Sequence, residues 1–247
     1  MDRRQFVKFG ITGTAVIAGG GLVAGCASLV PEQSAPQSQQ PEEPAASATP
    51  TAPESAPAAE GSALVIYYSH PETTASSDPA NLNEAEDNST VVMDGQILGN
   101  TQFVAQIIAR ETGSETYRIE IAHEYPAAHD ALTAQAQQEQ NSGFRPEITG
   151  GIPDLSSYDT IFFGHPIWWS KLPPAVTGFL EQADFGGKSI YLFNTHGGSG
   201  DAGTPATIKA LQGGATISDD NYVVSRNVVA NAEPEIVAWV NSLGLSK

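Results

Sequence analysis

The sequence predicts an α/β fold, a doubly wound parallel sheet with helices on both faces, and three observations predict it. Ala63-Leu64-Val65-Ile66-Tyr67-Tyr68-Ser69 and Thr160-Ile161-Phe162-Phe163-Gly164 are short, uninterrupted apolar runs, the pattern of strands buried on both faces. From residue 62 onward, strand-like and helix-like segments alternate, which specifies a parallel sheet with crossover helices. The loops after the first, third and fourth strands hold Gly, Pro, Trp and polar residues, and in an open α/β sheet the loops at the strands' carboxyl ends are where ligands bind.

The domain begins after a different kind of sequence. Asp2-Arg3-Arg4-Gln5-Phe6-Val7-Lys8 is a twin-arginine motif followed by an apolar, Gly/Ala-rich run over 11–25. That run is short for a membrane span and reads as the hydrophobic region of a signal peptide. It ends in Val23-Ala24-Gly25-Cys26, which resembles a lipobox with Cys26 as the lipidated residue; an unmodified Cys in an ordinary signal peptide is the other reading. Cys26 is the chain's single cysteine, so no internal disulfide supports the fold. Residues 27–61 are rich in Pro, Ala, Ser, Glu and Gln, with too little apolar surface to offset the entropy of ordering, and read as a flexible tether. Residues 62–247 then form one domain. The expected location is the outer face of the cytoplasmic membrane, held there only through a lipid on Cys26.

A formal net charge of −17 across 247 residues argues against nucleic acid, whose phosphates it would repel. Acidity identifies no other partner.

In chain order, 63–69 is a central first strand. An irregular segment over 70–98, with six acidic and no basic residues, follows as an insertion or lid, its far end pinned by Val91-Val92-Met93 and Ile97-Leu98. A helix from about 99 to 113 has Phe103, Val104, Ile107 and Ile108 on one face, Asn100 or Thr101 to cap its start and Gly113 at its stop. The alternating segment 115–121 is the second strand, and the polar, Gln-rich segment 126–142 is a surface helix. The third strand leads into His165-Pro166-Ile167-Trp168-Trp169-Ser170-Lys171-Leu172-Pro173-Pro174, and Pro173-Pro174 opens a helix through Val176, Phe179 and Leu180. The fourth strand, 188–194, precedes Thr195-His196-Gly197-Gly198-Ser199-Gly200-Asp201, and Thr204-Pro205 starts the next helix. An interrupted fifth strand spans 215–226, and Glu233–Leu243 closes the chain as a helix.

Three loops thus emerge at one edge. Gly99-Asn100-Thr101 opens a helix, where free amides and the helix dipole suit an anion such as phosphate with no lysine required; an ordinary cap is the plainer reading of these residues. Trp168 and Trp169 are adjacent in a loop and point in different directions, so one packs inward and the other is free to stack on a flat ring. Gly197 and Gly198 let backbone amides approach a ligand edge, and beside them His196 is placed to stack or donate, or is simply solvated. The histidines have no metal-ligand spacing and no Cys partner, so no metal is expected.

Taken together, the strand ending in Tyr67-Tyr68-Ser69, the Gly99-Asn100-Thr101 triplet, Pro166-Ile167-Trp168-Trp169 and Thr195-His196-Gly197-Gly198-Ser199-Gly200 resemble the flavodoxin-like proteins, in the branch with Pro-x-Trp-Trp and Thr-His-Gly-Gly-Ser-Gly loops. The resemblance implies a five-stranded sheet of order 2-1-3-4-5 binding one FMN at its carboxyl edge. It implies that Ser69, Gly99, Asn100 and Thr101 hold the phosphate and that Pro166, Ile167, Trp168 and Trp169 line one side of the ring system. Thr195, His196, Gly197, Gly198 and Asp201 would lie along the other side and the pyrimidine edge. Two departures stand out: the phosphate loop is split by the 70–98 segment, and His165 and Ser170 stand where tyrosine and glycine are usual.

No catalytic acid or base stands out. The expected function is electron transfer by an FMN-binding protein, its partner a redox protein or a small quinone or nicotinamide donor. An FMN-dependent NAD(P)H or quinone reductase, and a surface binding lipoprotein that has lost the cofactor, are the alternatives.

Overall fold

The computed structural model describes residues 62–247; the twin-arginine segment, Cys26 and the 27–61 linker lie outside the described residues. Strands β1 (Ser62–Tyr67), β4 (Glu115–Arg118), β5 (Tyr158–Pro166) and β6 (Ser189–His196) form a parallel sheet in the order β4-β1-β5-β6. At the fifth position the strand is broken into β7 (Thr216–Ile217) and β8 (Tyr222–Ser225), each pairing in parallel with a different end of β6. The interruption read from the sequence therefore falls inside one strand position, and the order is 2-1-3-4-5.

The continuous apolar runs are explained by burial on both sides. In β1, Leu64 and Ile66 face one core while Val65 and Tyr67 face the other; in β5, Ile161 and Phe163 alternate likewise with Phe162. Helices α4 (Pro174–Leu180) and α5 (Thr204–Leu211) cover the first layer with Val176, Phe179 and Ile208. Helices α2 (Asn100–Thr112) and α6 (Glu233–Ser242) cover the second with Phe103, Val104, Ile107, Ile236 and Val240. The polar helix α3 (His129–Ser142) lies at the surface and buries only Leu132, Ala136 and Glu139. The second strand is shorter than its alternating pattern: after Arg118 the chain turns, and Ile121 bridges Ile148 in the antiparallel sense.

The 70–98 segment is more ordered than its composition predicts. It holds helix α1 (Glu84–Ser89), capped by the Asn83 side chain, and a hairpin of β2 (Thr90–Met93) and β3 (Gln96–Gly99). Asp94 and Gly95 turn the hairpin with φ of 51° and 75°, the Asp-Gly signature of a tight two-residue turn, because that turn needs positive φ at both central positions. Val91 and Leu98 anchor it in the α2 core, whereas Val92 is exposed.

Gly164 marks the tightest contact in the sheet. A Cβ at this position would enter the ring of Phe193 on β6, itself fully buried. Overpacking a core that cannot shift destabilises by about 1–3 kcal/mol. Gly164→Ala is accordingly expected to lower stability by about 3 kcal/mol, read as an earlier urea midpoint at unchanged m-value.

Candidate functional site

At the carboxyl edge the ends of β1, β5 and β6 and the start of α2 border one open cleft of about 230 Å3. The cleft lies at the point where the strand order reverses, between β1 and β5, which is where such sheets bind ligands. Ser69, Asn100, Thr101, Pro166, Ile167, Trp168, Trp169, Thr195, His196 and Gly197 all line it.

The split phosphate loop is rejoined in space. β3 delivers Gly99 directly to the N-terminus of α2, and a Cβ on Gly99 would collide with Ser69 Oγ, so glycine permits the close approach of Ser69 to the helix start. No side chain caps α2, which leaves its first amides to the cleft. Thr101 Oγ1 lies 2.8 Å from Thr195 Oγ1 and locks the helix start to the end of β6. Asn100 is more than nine-tenths buried; its Nδ2 donates to Asn88 O at 2.9 Å, while its Oδ1 has no partner. A buried acceptor without a donor is costly, and a hydroxyl-bearing ligand would satisfy it.

The two tryptophans point in different directions, one inward and one to the surface. Trp168 is half-buried among Tyr68, His70 and Tyr125, meeting each ring edge-on at centroid distances of 5.9, 6.2 and 5.2 Å. Trp169 is 51% exposed, and its Nε1 donates to Thr133 O of α3 at 2.8 Å. A two-residue turn holds them: Trp168 and Lys171 exchange backbone hydrogen bonds of 3.0 Å, with Trp169 and Ser170 at φ of 50° and 56°. Positive φ at both positions is the region glycine enters most easily, so a residue without a side chain at 170 would be favoured. Gln140 Nε2 of α3 secures the turn by donating to Trp168 O at 2.8 Å.

Three residues of the predicted set do not line the cleft. Gly99 lies beneath Ser69, as above. Gly198 turns away at φ 132°, its amide donating to His196 Nδ1 at 2.9 Å. Asp201 closes the turn into α5, its Oδ1 accepting from Gly203 N at 3.0 Å and its carbonyl from Thr204 Oγ1 at 2.7 Å. Other lining groups carry no direct sign in the sequence: Asn88 and Ser89 from the insertion, Leu132, Thr133 and Ala136 from α3, and Arg226 just beyond β8. Glu72, also in the wall, is paired with His129 Nδ1 at 2.9 Å. Arg226 was legible in one respect, since it ends a strand at the same sheet edge.

Burial lowers the proton affinity of two histidines in the cleft. His70 is held below the ordinary imidazole range by burial and by the Arg118 guanidinium, and His196 by burial alone. Arg118 also donates to Ser69 O at 3.0 Å, fixing the first loop. His165 sits just behind the cleft, fully buried, and burial pushes its imidazole down to about 4, against the weaker opposing pull of the Pro166 carbonyl and Asp201. Among the described residues no group of three His, Cys, Asp or Glu side chains is placed to hold a metal, and no helix is long and apolar enough to cross a membrane.

Fold and site together define an α/β protein with a nucleotide-type cleft, one that offers helix amides at one end and indole at the other. The family profile described as flavodoxin matches residues 90–243, more than half the chain, and the protein belongs to that family. No curated protein matches it. Among solved structures it is similar to a candidate flavoprotein from Bacteroides eggerthii, 22% identical over 75% of this chain and 99% of that one, with a TM-score of 0.54. A candidate flavoprotein from Bacteroides uniformis is 23% identical over 70% and 97% of the two chains, with a TM-score of 0.50. A flavoprotein in complex with FMN from Lactobacillus acidophilus is 15% identical over 70% and 99%, with a TM-score of 0.46. At these identities the likeness is one of fold.

The His165 imidazole has a consequence for stability. The unfolded chain protonates it near 6.5 and the folded chain only near 4, so between these values the unfolded state binds more protons. Stability from this group is complete above pH 6.5 and falls as pH drops towards 4, by about 3 kcal/mol in all. In chemical denaturation across this window, His165→Gln is expected to show a shallower decline than the wild type, and parallel curves would exclude the assignment.

Proposed function

We propose that the cleft binds FMN and that the protein serves as a flavodoxin-type electron-transfer protein. The observation that carries this reading is the convergence of Ser69, the uncapped start of α2, the Trp168-Trp169 turn and the Thr195–Gly197 segment on one cleft at the switch point of a parallel sheet. Family membership supports it. The residues present fit the cofactor: amides of Asn100 and Thr101 and the Ser69 hydroxyl suit a phosphate, Asn100 Oδ1 suits a hydroxyl of the ribityl chain, and the indoles suit the tricyclic ring.

FMN bound here supplies reversible one- and two-electron chemistry. The protein's share is to hold and to shield. The Thr101–Thr195 hydrogen bond fixes the phosphate end, and Gln140 and Thr133 of α3 clamp the tryptophan turn. Lowered proton affinity keeps His70 and His196 uncharged at neutral pH, so neither adds a fixed cation beside the ring.

The N-terminal sequence extends the proposal. A twin-arginine route carries folded proteins, so a non-covalent cofactor is loaded before export, and a lipid on Cys26 with the 27–61 tether would hold the domain at the outer face of the membrane. The partner there is a redox protein or a small quinone or nicotinamide donor.

The test is spectroscopic. Protein purified from flavin-replete cells, or reconstituted with FMN, is expected to show the two visible bands of oxidised flavin. Trp169→Ala is expected to weaken FMN binding about tenfold, the scale of one aromatic stacking contact, with little change in unfolding midpoint. Trp168→Ala should lower both affinity and stability, because Trp168 also packs against Tyr68 and Tyr125. A colourless protein that FMN does not reconstitute would remove the reading.

A further inference from the structure

We propose that Arg226 is the specificity-determining cation of the cleft, the side chain that makes it a site for a phosphorylated flavin in preference to the unphosphorylated one; this rests on the FMN reading above.

Among the described residues Arg226 is the only lysine or arginine that lines the cleft. Its backbone is fixed, because Arg226 N donates to His196 O at 2.8 Å and so prolongs the parallel pairing of β8 with β6. Side chains alternate along a strand. Tyr222 and Val224 pack into the core that α2 covers, so Arg226, two residues further on, stands on the α2 side of the sheet. There the guanidinium lies over Gly197, its Cζ, Nε and Nη1 at 3.5–3.6 Å from where a Cβ on Gly197 would be.

Contacts link this position to the start of α2, where the phosphate would sit. Thr195, two residues before Gly197, is the residue bonded to Thr101 at the start of α2. Arg226 also borders a second, outer cavity together with Asn83, Asn88 and His129, and Asn88 O is the acceptor that holds Asn100. Asn100, whose buried Oδ1 has no hydrogen-bond partner, lines the same cleft as Arg226.

Charge supplies the remaining argument. Glu72 is, among the described residues, the one carboxylate lining the cleft, and it hydrogen-bonds to His129 Nδ1 and not to Arg226. Among the described residues the Arg226 guanidinium makes no ion pair and donates no hydrogen bond. In a chain of net charge −17, an uncompensated guanidinium at the mouth of a cleft offsets the repulsion a dianionic ligand would meet, and a planar fork of N–H donors matches phosphate geometry.

The experiment is a fluorescence titration of the full chain with FMN and with riboflavin, comparing wild type, Arg226→Gln and Arg226→Lys. Arg226 is exposed and unbonded through its side chain, so unfolding midpoints are expected to agree. Arg226→Gln should raise the FMN dissociation constant about tenfold, the scale of one charge-assisted contact, and leave the riboflavin constant unchanged. Arg226→Lys should recover part of the loss. At about 1 M salt, where the screening length falls to about 3 Å, the gap between wild type and Arg226→Gln should narrow. Equal losses for the two flavins, or none for either, overturn the proposal while leaving FMN binding intact. A wild-type chain that binds neither flavin removes the FMN reading itself, and this inference with it.

Discussion

The hydrogen bond between Thr101 and Thr195 is small, yet the site depends on the constraint it records. Helix α2 must lie across the sheet with its start at the carboxyl edge, and this contact sets where that start meets the end of β6. The position follows from burial. Phe103, Val104, Ile107 and Ile108 leave water in a core shared with Val65, Phe162 and Phe193 of the sheet, and burying that face brings the uncapped end of the helix to the strand ends. Polar and aromatic loop residues then collect there because the strand interiors have no room for them; Gly164 is already in contact with Phe193.

The insertion shows how a chain can lengthen a functional loop without dispersing it. Twenty-nine residues separate Ser69 from Gly99, but α1 and the β2–β3 hairpin return the chain to its starting point, with Val91 and Leu98 buried as anchors. Lengthening a loop costs little entropy when its ends are held together. The added residues also join the cleft: Asn88 holds Asn100, and Ser89 Oγ accepts from Glu72 N at 2.9 Å.

Local electrostatics in the cleft run against the average of the chain. A surface this acidic would by itself disfavour an anionic ligand, and the fold answers with helix amides, uncharged histidines and one guanidinium. Desolvation keeps His70 and His196 neutral and holds His165 neutral behind them.

From the residues alone came the parallel sheet, its doubly buried central strands, the helix starts and the three loops, because each depends on a periodicity or a capping preference that acts over a few positions. The division of labour between the two tryptophans was also legible in kind, since neighbours in a turn diverge, although which indole turns inward was settled by the packing of Trp168 on Tyr68, His70 and Tyr125. Asp94-Gly95 carried a hairpin signal that the acidic composition around it obscured. The tertiary structure alone placed Asn88, Thr133 and Arg226 in the cleft and set Asp201 and Gly198 outside it. Those placements arise from contacts between segments tens of residues apart, and no local preference encodes which side chains will share a space once the sheet has closed over its core.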